Sequence, residues 1–154
     1  LFVGFEIHWK SVWDAINRAD AANLENVRFV RADIRNVLVK VPDQSVDEAW
    51  VLFPPPAVEY KRRKQDLLSA TIIGHLGRML QDNALLQFVT DHEDYFAEKV
   101  ALLRASGLFE DAAISRDFEG GITRFQRFWE NFEIASLRYE AARVPRADSD
   151  RPSS

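Results

Sequence analysis

Short apolar runs alternate along the chain with stretches in which apolar residues recur every three or four positions, a pattern that predicts strands separated by helices. The opening LFVGFEIH, with Val3, Ile7 and two phenylalanines, reads as a strand. From Ser11 the period changes. Val12, Ile16 and Ala19 fall on one helical face, Ser11 suits the N-cap, and Asn23 can close the C-terminus. Val27 to Val30 forms a second strand, ending near Asp33. Strand, helix and strand within about 30 residues is the unit that enforces parallel pairing and a right-handed crossover.

The alternation continues. Ile34 to Lys40 predicts a short helix, Pro42 to Ser45 a turn, and Ala49 to Phe53 a third strand. Leu68, Ile72, Leu76 and Met79 or Leu80 share one face of a helix of roughly four turns. Leu85 to Val89 is the fourth strand and ends at Thr90-Asp91; Phe96, Val100 and Leu103 mark the next helix, with Gly107 at its C-terminal cap. Phe109 to Ser115 and Ile134 to Ala142 alternate as an antiparallel hairpin at a sheet edge. The expected architecture is α/β: a mostly parallel sheet with an antiparallel C-terminal edge over residues 1–144, then a flexible tail, 145–154, rich in Arg, Asp, Pro and Ser.

The third strand stops at Pro54, Pro55 and Pro56, which donate no amide and fix their own φ. The first two prolines are each followed by another, so the loop is extended and stiff and projects past the sheet. Lys61, Arg62, Arg63 and Lys64 follow, the densest positive charge in the sequence. Open α/β sheets bind ligands beyond the carboxyl ends of their strands, so this stretch reads as one wall of a cleft.

Composition narrows the class. With 154 residues, 47% hydrophobic and 29% charged, the chain is expected to bury one ordinary core as one domain. The net charge of −4 argues against a protein that coats nucleic acid without selectivity, while leaving room for a local basic patch. Zero cysteines exclude disulfides, thiolate nucleophiles and cysteine-held metals. No apolar run approaches the length of about 20 residues that a membrane span needs, and no signal-peptide pattern opens the chain, so a cytoplasmic location is expected.

Polar groups fit for chemistry fall at strand ends: Glu6 with His8, Asp33, the Pro54 to Lys64 loop, and Thr90 with Asp91. An acidic residue at the end of an early strand can accept both hydroxyls of a nucleotide ribose. The plainer reading of any one of them alone is a helix cap. His8, His75 and His92 show no metal-ligand spacing, no G-x-S-x-G elbow occurs, and Gly120-Gly121 is a turn too short to cradle phosphate. Trp9, Trp13, Trp50 and Trp129 read as core or packing residues rather than base-stacking platforms.

GFEIH followed by a helix, NVRFVRAD, LFPPP, the basic loop, TDHEDY and TRFQ occur in the order and spacing of the bacterial tRNA (guanine-N7) methyltransferase family, which the chain resembles from about Gly4 to about Phe125. That family is a Rossmann-like S-adenosylmethionine (SAM) methyltransferase fold whose signature loop reads FPDPW-x-K. The resemblance implies that Glu6 holds the SAM ribose and that Asp33 sits near its adenine. It further implies that Asp91, Thr123 and Arg124 lie on the tRNA side, and it raises the prospect that Lys61, Arg62, Arg63 and Lys64 contact RNA phosphate.

The departures are local. Pro55 stands where the family carries its catalytic aspartate, Ala57 where it has tryptophan, Glu59 where it has a substrate-contacting lysine, and Gln126 where the last motif usually ends in glutamate. No catalytic residue is therefore assigned. The family's first strand and glycine-rich loop precede the position matched by Leu1, so the fold is expected without its first strand, from a fragment or a misassigned start. Two functions stay open: a SAM-dependent methyltransferase with altered substrate or reduced activity, and a non-catalytic relative that binds RNA or a protein partner.

Overall fold

The chain leaves strand β1 (Phe2–Glu6), crosses through helix α1 (Trp9–Ala21) and returns as β2 (Val27–Arg31), parallel to β1 in a register running from Phe2 opposite Val27 to Glu6 opposite Arg31. This is the expected crossover unit. The computed structural model describes residues 1–56, 66–113 and 136–147. Its chain divides into two compact units, Leu1–Val41 and Pro42–Ser154.

In the first unit, α1 starts at Trp9 with His8 in the N-cap position, earlier than Ser11. The reason lies in the turn before it. One Glu6 carboxylate oxygen accepts from the backbone amides of Ile7 and His8, so the chain is already bent where β1 ends and the helix starts at once, without a side-chain cap. The C-terminus closes as expected, with Asn23 in the left-handed region at φ 53°. Gly4 is required where it stands, because a Cβ there would lie 2.9 Å from the Phe29 ring on the paired strand. Val12, Ala15 and Ala19 are half-buried. Trp9 and Trp13 are instead 65% and 58% exposed on a separate stripe with Ile16, which corrects the core half of the expectation that they are core or packing residues. The unit ends in α2 (Ile34–Val37), tightened into a 3-10 turn over Leu38–Lys40 with Leu38 buried.

The second unit holds a four-stranded sheet in the order β3-β4-β6-β5, made of β3 (Val46–Leu52), β4 (Leu80–Thr90), β5 (Phe109–Asp111) and β6 (Leu137–Arg143). β3 and β4 are parallel, and the other two pairings are antiparallel, giving the hairpin edge read from the sequence. Among the described residues its strands are Phe109–Asp111, with Ala112 and Ala113 outside the strand, and Leu137–Arg143, which runs one residue past Ala142; the expected ends at Ser115 and Ile134 lie outside the described residues. β4 begins earlier than Leu85 because Leu80 leaves helix α3 (Ala70–Met79) directly into a pairing with Val46; the residues before Leu85 are then accommodated as an irregularity in which Asn83 takes φ 65°. α3 is shorter than four turns because Ser69 caps it, its hydroxyl accepting from Ile72, which leaves Leu68 buried but outside the helix.

One face of this sheet carries Val51, Leu86, Phe88, Tyr139 and Ala141 into the core. Helix α4 (Glu93–Ala105) packs there, with Phe96 stacked on Phe88 at 5.7 Å and Tyr95 edge-on to it at 6.0 Å. The opposite face carries a polar chain. Glu48 accepts from Gln87, and Arg138 donates to Gln87 and to Glu140. Gln87 and Glu140 are fully buried, which explains why a glutamine interrupts the apolar run of β4. The chain beyond β6 is held at least to Arg146, whose guanidinium donates to the carbonyls of Gly77 and Arg78 at the end of α3.

A buried cation fixes the approach to α3. Lys99 is 1% exposed, pairs with Asp66 and donates to Glu98 at 2.8 Å. Asp66 also accepts from the Tyr95 hydroxyl at 2.9 Å and from the Leu68 amide at 3.1 Å. Burial, and then the charge of Asp66, push the Tyr95 phenol well above its ordinary range, keeping it a donor. Removing Asp66 takes away the buried partner of Lys99, leaving it only the largely exposed Glu98, and takes the acceptor from the Tyr95 hydroxyl. Asp66→Ala should cost about 3–5 kcal/mol in urea unfolding, and adding Lys99→Met should recover a large part of that loss; equal midpoints for wild type and Asp66→Ala would refute the clamp.

Candidate functional site

In the first unit the ends of β1 and β2 are adjacent: the Ala32 amide donates to the Glu6 carbonyl at 3.1 Å, one residue before Asp33. Two carboxylates therefore lie at one edge of one parallel pair. Glu6 uses a single oxygen, Oε1, for the amides of Ile7 at 2.7 Å and His8 at 2.8 Å. Oε2 has no hydrogen-bond partner among the described residues. The carboxylate is thus oriented by the backbone while one acceptor stays available, the arrangement needed to take a sugar hydroxyl. Arg31 steadies the same turn by donating to the Ile7 carbonyl at 3.4 Å.

Asp33 caps α2, as the plainer reading of the sequence has it, and it does more. Its Oδ1 accepts from the Arg35 amide at 3.0 Å and from Arg35 Nε at 2.8 Å; its Oδ2 accepts from Nε at 3.0 Å and from Nη2. The side-chain hydrogen bond from Arg35 holds the Asp33 carboxyl below the usual range, against the opposing effect of partial burial. Arg35 was not singled out from the sequence. The signal was present as an acid at an N-cap with an arginine two residues on, but that spacing is common on helix surfaces.

In the second unit the ends of β3 and β4 meet in the same way, with Leu52 opposite Val89. The Phe53 amide extends the ladder by donating to the Val89 carbonyl at 2.8 Å, and Phe53 then takes φ 47° immediately before Pro54. A left-handed phenylalanine ahead of a proline is strained by about 1–3 kcal/mol, the kind of backbone that concentrates at functional loops. Pro54 is buried and Pro55 exposed, so the loop is rooted in the sheet and turned outward. Across from it, the buried Thr90 hydroxyl accepts from the His92 amide at 3.3 Å, and His92 Nδ1 accepts from the Tyr95 amide at 3.2 Å, capping α4. Asp91, half-buried between them, has no hydrogen-bond partner among the described residues.

Of the residues expected to form a site, the structure thus brings Glu6 together with Asp33 in one unit, and the proline loop together with Asp91 in the other. Lys61, Arg62, Arg63, Lys64, Thr123 and Arg124 lie outside the described residues, as do Ala57, Glu59, Gln126 and Trp129.

A family model described as "Putative methyltransferase" matches residues 1–142. Over 146 residues the chain is 30% identical to a tRNA (guanine-N(7)-)-methyltransferase of Rubrobacter xylanophilus, covering 92% of this chain and 66% of that protein. A protein of the same name from Chloroflexus aggregans is 34% identical over 145 residues, with 90% and 63% covered, so the chain spans less than two thirds of the length of these relatives. The solved structure of a SAM dependent methyltransferase from Aquifex aeolicus superposes with a TM-score of 0.58 at 13% identity, covering 92% of this chain and 68% of that one. The fold is accordingly the Rossmann-like α/β fold of SAM-dependent methyltransferases, with parallel strands and an antiparallel edge.

The Asp33–Arg35 pair gives a direct test of this geometry. A carboxyl whose folded pKa is depressed contributes stability above its ordinary pKa of about 3.9 and loses it as pH falls through the lowered value. Carbon-13 NMR titration of Asp33 should show a midpoint below the ordinary value, and Arg35→Ala should raise it; an identical midpoint in both proteins would rule the pair out in solution.

Proposed function

The chain belongs to the methyltransferase family whose model it matches over residues 1–142, and from that premise we propose that it forms part of a SAM-dependent methyltransferase acting on guanine N7 of tRNA. One observation carries the reading. Two carboxylates stand at adjacent parallel strand ends, one with an oxygen turned away from its backbone partners, as a nucleoside site requires. Glu6 would hold the ribose hydroxyls and Asp33 the adenine side. Bound there, SAM supplies an electrophilic methyl group on sulfur.

The chain's own task is to hold donor and acceptor in line, which by itself accounts for much of the acceleration of a two-substrate reaction. Asp91, Thr123 and Arg124 are assigned to the tRNA side, and Lys61, Arg62, Arg63 and Lys64 to its phosphates. Pro55 offers neither an amide nor a side-chain acceptor, and Glu59 brings negative charge toward an anionic substrate, so transfer to tRNA is slow in this version of the site. Family membership supports the enzyme over a non-catalytic binding module.

Calorimetry with SAM on the full protein that carries this chain tests the cofactor assignment. Glu6→Ala should weaken binding roughly tenfold to a hundredfold, the effect of losing a hydrogen bond to a charged group; unchanged affinity would refute it. Methyl transfer from labelled SAM to bulk tRNA, with the modified nucleoside identified by mass spectrometry, tests the loop. Pro55→Asp together with Glu59→Lys should raise the rate by about tenfold or more, equivalent to about 1.4 kcal/mol of barrier, and by more than the two single changes combined. A double variant no faster than wild type would show that the loop departures do not limit the reaction.

A further inference from the structure

We propose that Arg35 is a positioning residue that makes Asp33 selective for the 6-amino group of a purine over a 6-oxo group. The inference rests on the reading of Glu6 and Asp33 as a SAM site and deepens it. A carboxylate at a strand end is ordinarily free to turn about its side-chain torsions, and once protonated it becomes a donor as well as an acceptor. Arg35 removes both freedoms. Its Nε and Nη2 lie side-on across the two Asp33 oxygens, and its amide holds Oδ1 from the backbone side. The planar guanidinium fork fixes the carboxylate plane, which a lysine could not do.

The coordination then leaves a defined vacancy on Asp33 itself. Of the about four lone-pair directions of a carboxylate, the Arg35 amide, Nε and Nη2 take three. Every hydrogen bond that the Asp33 carboxylate accepts among the described residues comes from Arg35. The remaining direction is on Oδ2, away from the fork, and it is acceptor-only. With side-chain exposures of 29% for Asp33 and 32% for Arg35, the pair is open enough to meet a ligand and sheltered enough to strengthen the contact. An amino group on carbon 6 of a purine can donate to that oxygen. A carbonyl there sets oxygen against oxygen. The depressed carboxyl pKa agrees with this picture, because the ionised form is the one that can only accept.

Calorimetry with S-adenosylhomocysteine and S-inosylhomocysteine, which differ in the 6-position of the purine, tests the proposal in the full protein. Wild type should prefer the adenine compound by roughly thirtyfold, in the range of one hydrogen bond to a charged group. Arg35→Ala should shrink that preference to within about threefold, chiefly by weakening the adenine compound, and Arg35→Lys should fall between. Asp33→Asn, whose amide can donate to the 6-oxo group, should favour the inosine compound relative to wild type. If Arg35→Ala weakens both compounds by the same factor, Arg35 merely supports the fold, and the proposal fails. It fails equally if the preference is unchanged, or if Arg35→Ala tightens the adenine compound, because the fork would then be competing with the ligand. Wild type binding neither compound would remove the SAM reading itself, a result distinct from any of these.

Discussion

Parallel pairing is the constraint from which the rest of this structure follows. Two parallel strands cannot be closed by a tight turn, so each must hand the chain to a crossover, and the backbone amides exposed at that handover need acceptors. Here side chains meet the need: Glu6 after β1, Asp33 after β2, Thr90 and His92 after β4. The same groups that solve a folding problem stand where an open α/β sheet receives its ligand. On the proposed reading, structure and chemistry draw on the same residues, and Glu6 would serve both by giving one oxygen to the backbone and keeping the other.

Several polar groups inside the second unit show the converse arrangement, with their hydrogen-bonding groups turned on one another. Lys99, Asp66 and Tyr95 satisfy one another, and Gln87 bridges Glu48 and Arg138 across the sheet. Such groups contribute little net stability compared with a well-packed apolar core, but removing one partner is costly, so they favour a single arrangement of the elements they join. Asp66 joins the approach to α3 onto α4, the helix that leaves the end of β4. The strained backbone at Phe53, at the end of the strand paired with β4, depends on that kind of rigidity around it.

Much of this was legible in the sequence, and the exceptions have physical reasons. The alternation of strand and helix, the antiparallel edge, the close of α1 near Asn23 and the cap region at Gly107 all follow from local periodicity and turn chemistry. The start of α1 did not, because the Glu6 carboxylate bends the chain at Ile7 and His8, so the helix begins at Trp9, ahead of the hydroxyl that the residue pattern offers at Ser11. Lys99 was missed because it occupies a core position of α4, between Tyr95 and Leu103, with a partner distant in sequence. Trp9 and Trp13 stayed outside because their stripe lies to the side of the face bearing Val12, Ala15 and Ala19. For the site, the positions of Glu6, Asp33 and Asp91 at strand ends could be read directly, whereas the fork of Arg35 on Asp33 depends on side-chain conformation that no spacing dictates.

On the proposed reading, the strand ends of the first unit form the nucleoside half of a cofactor site. Amide chemical-shift mapping of the full protein on addition of S-adenosylhomocysteine addresses it most directly, since it reports location without requiring turnover. The largest shifts should fall on Ile7 and His8, whose amides share the Glu6 carboxylate, and on Asp33 and Arg35. Saturable binding that leaves those four amides unmoved, with the shifts gathered elsewhere, would contradict it.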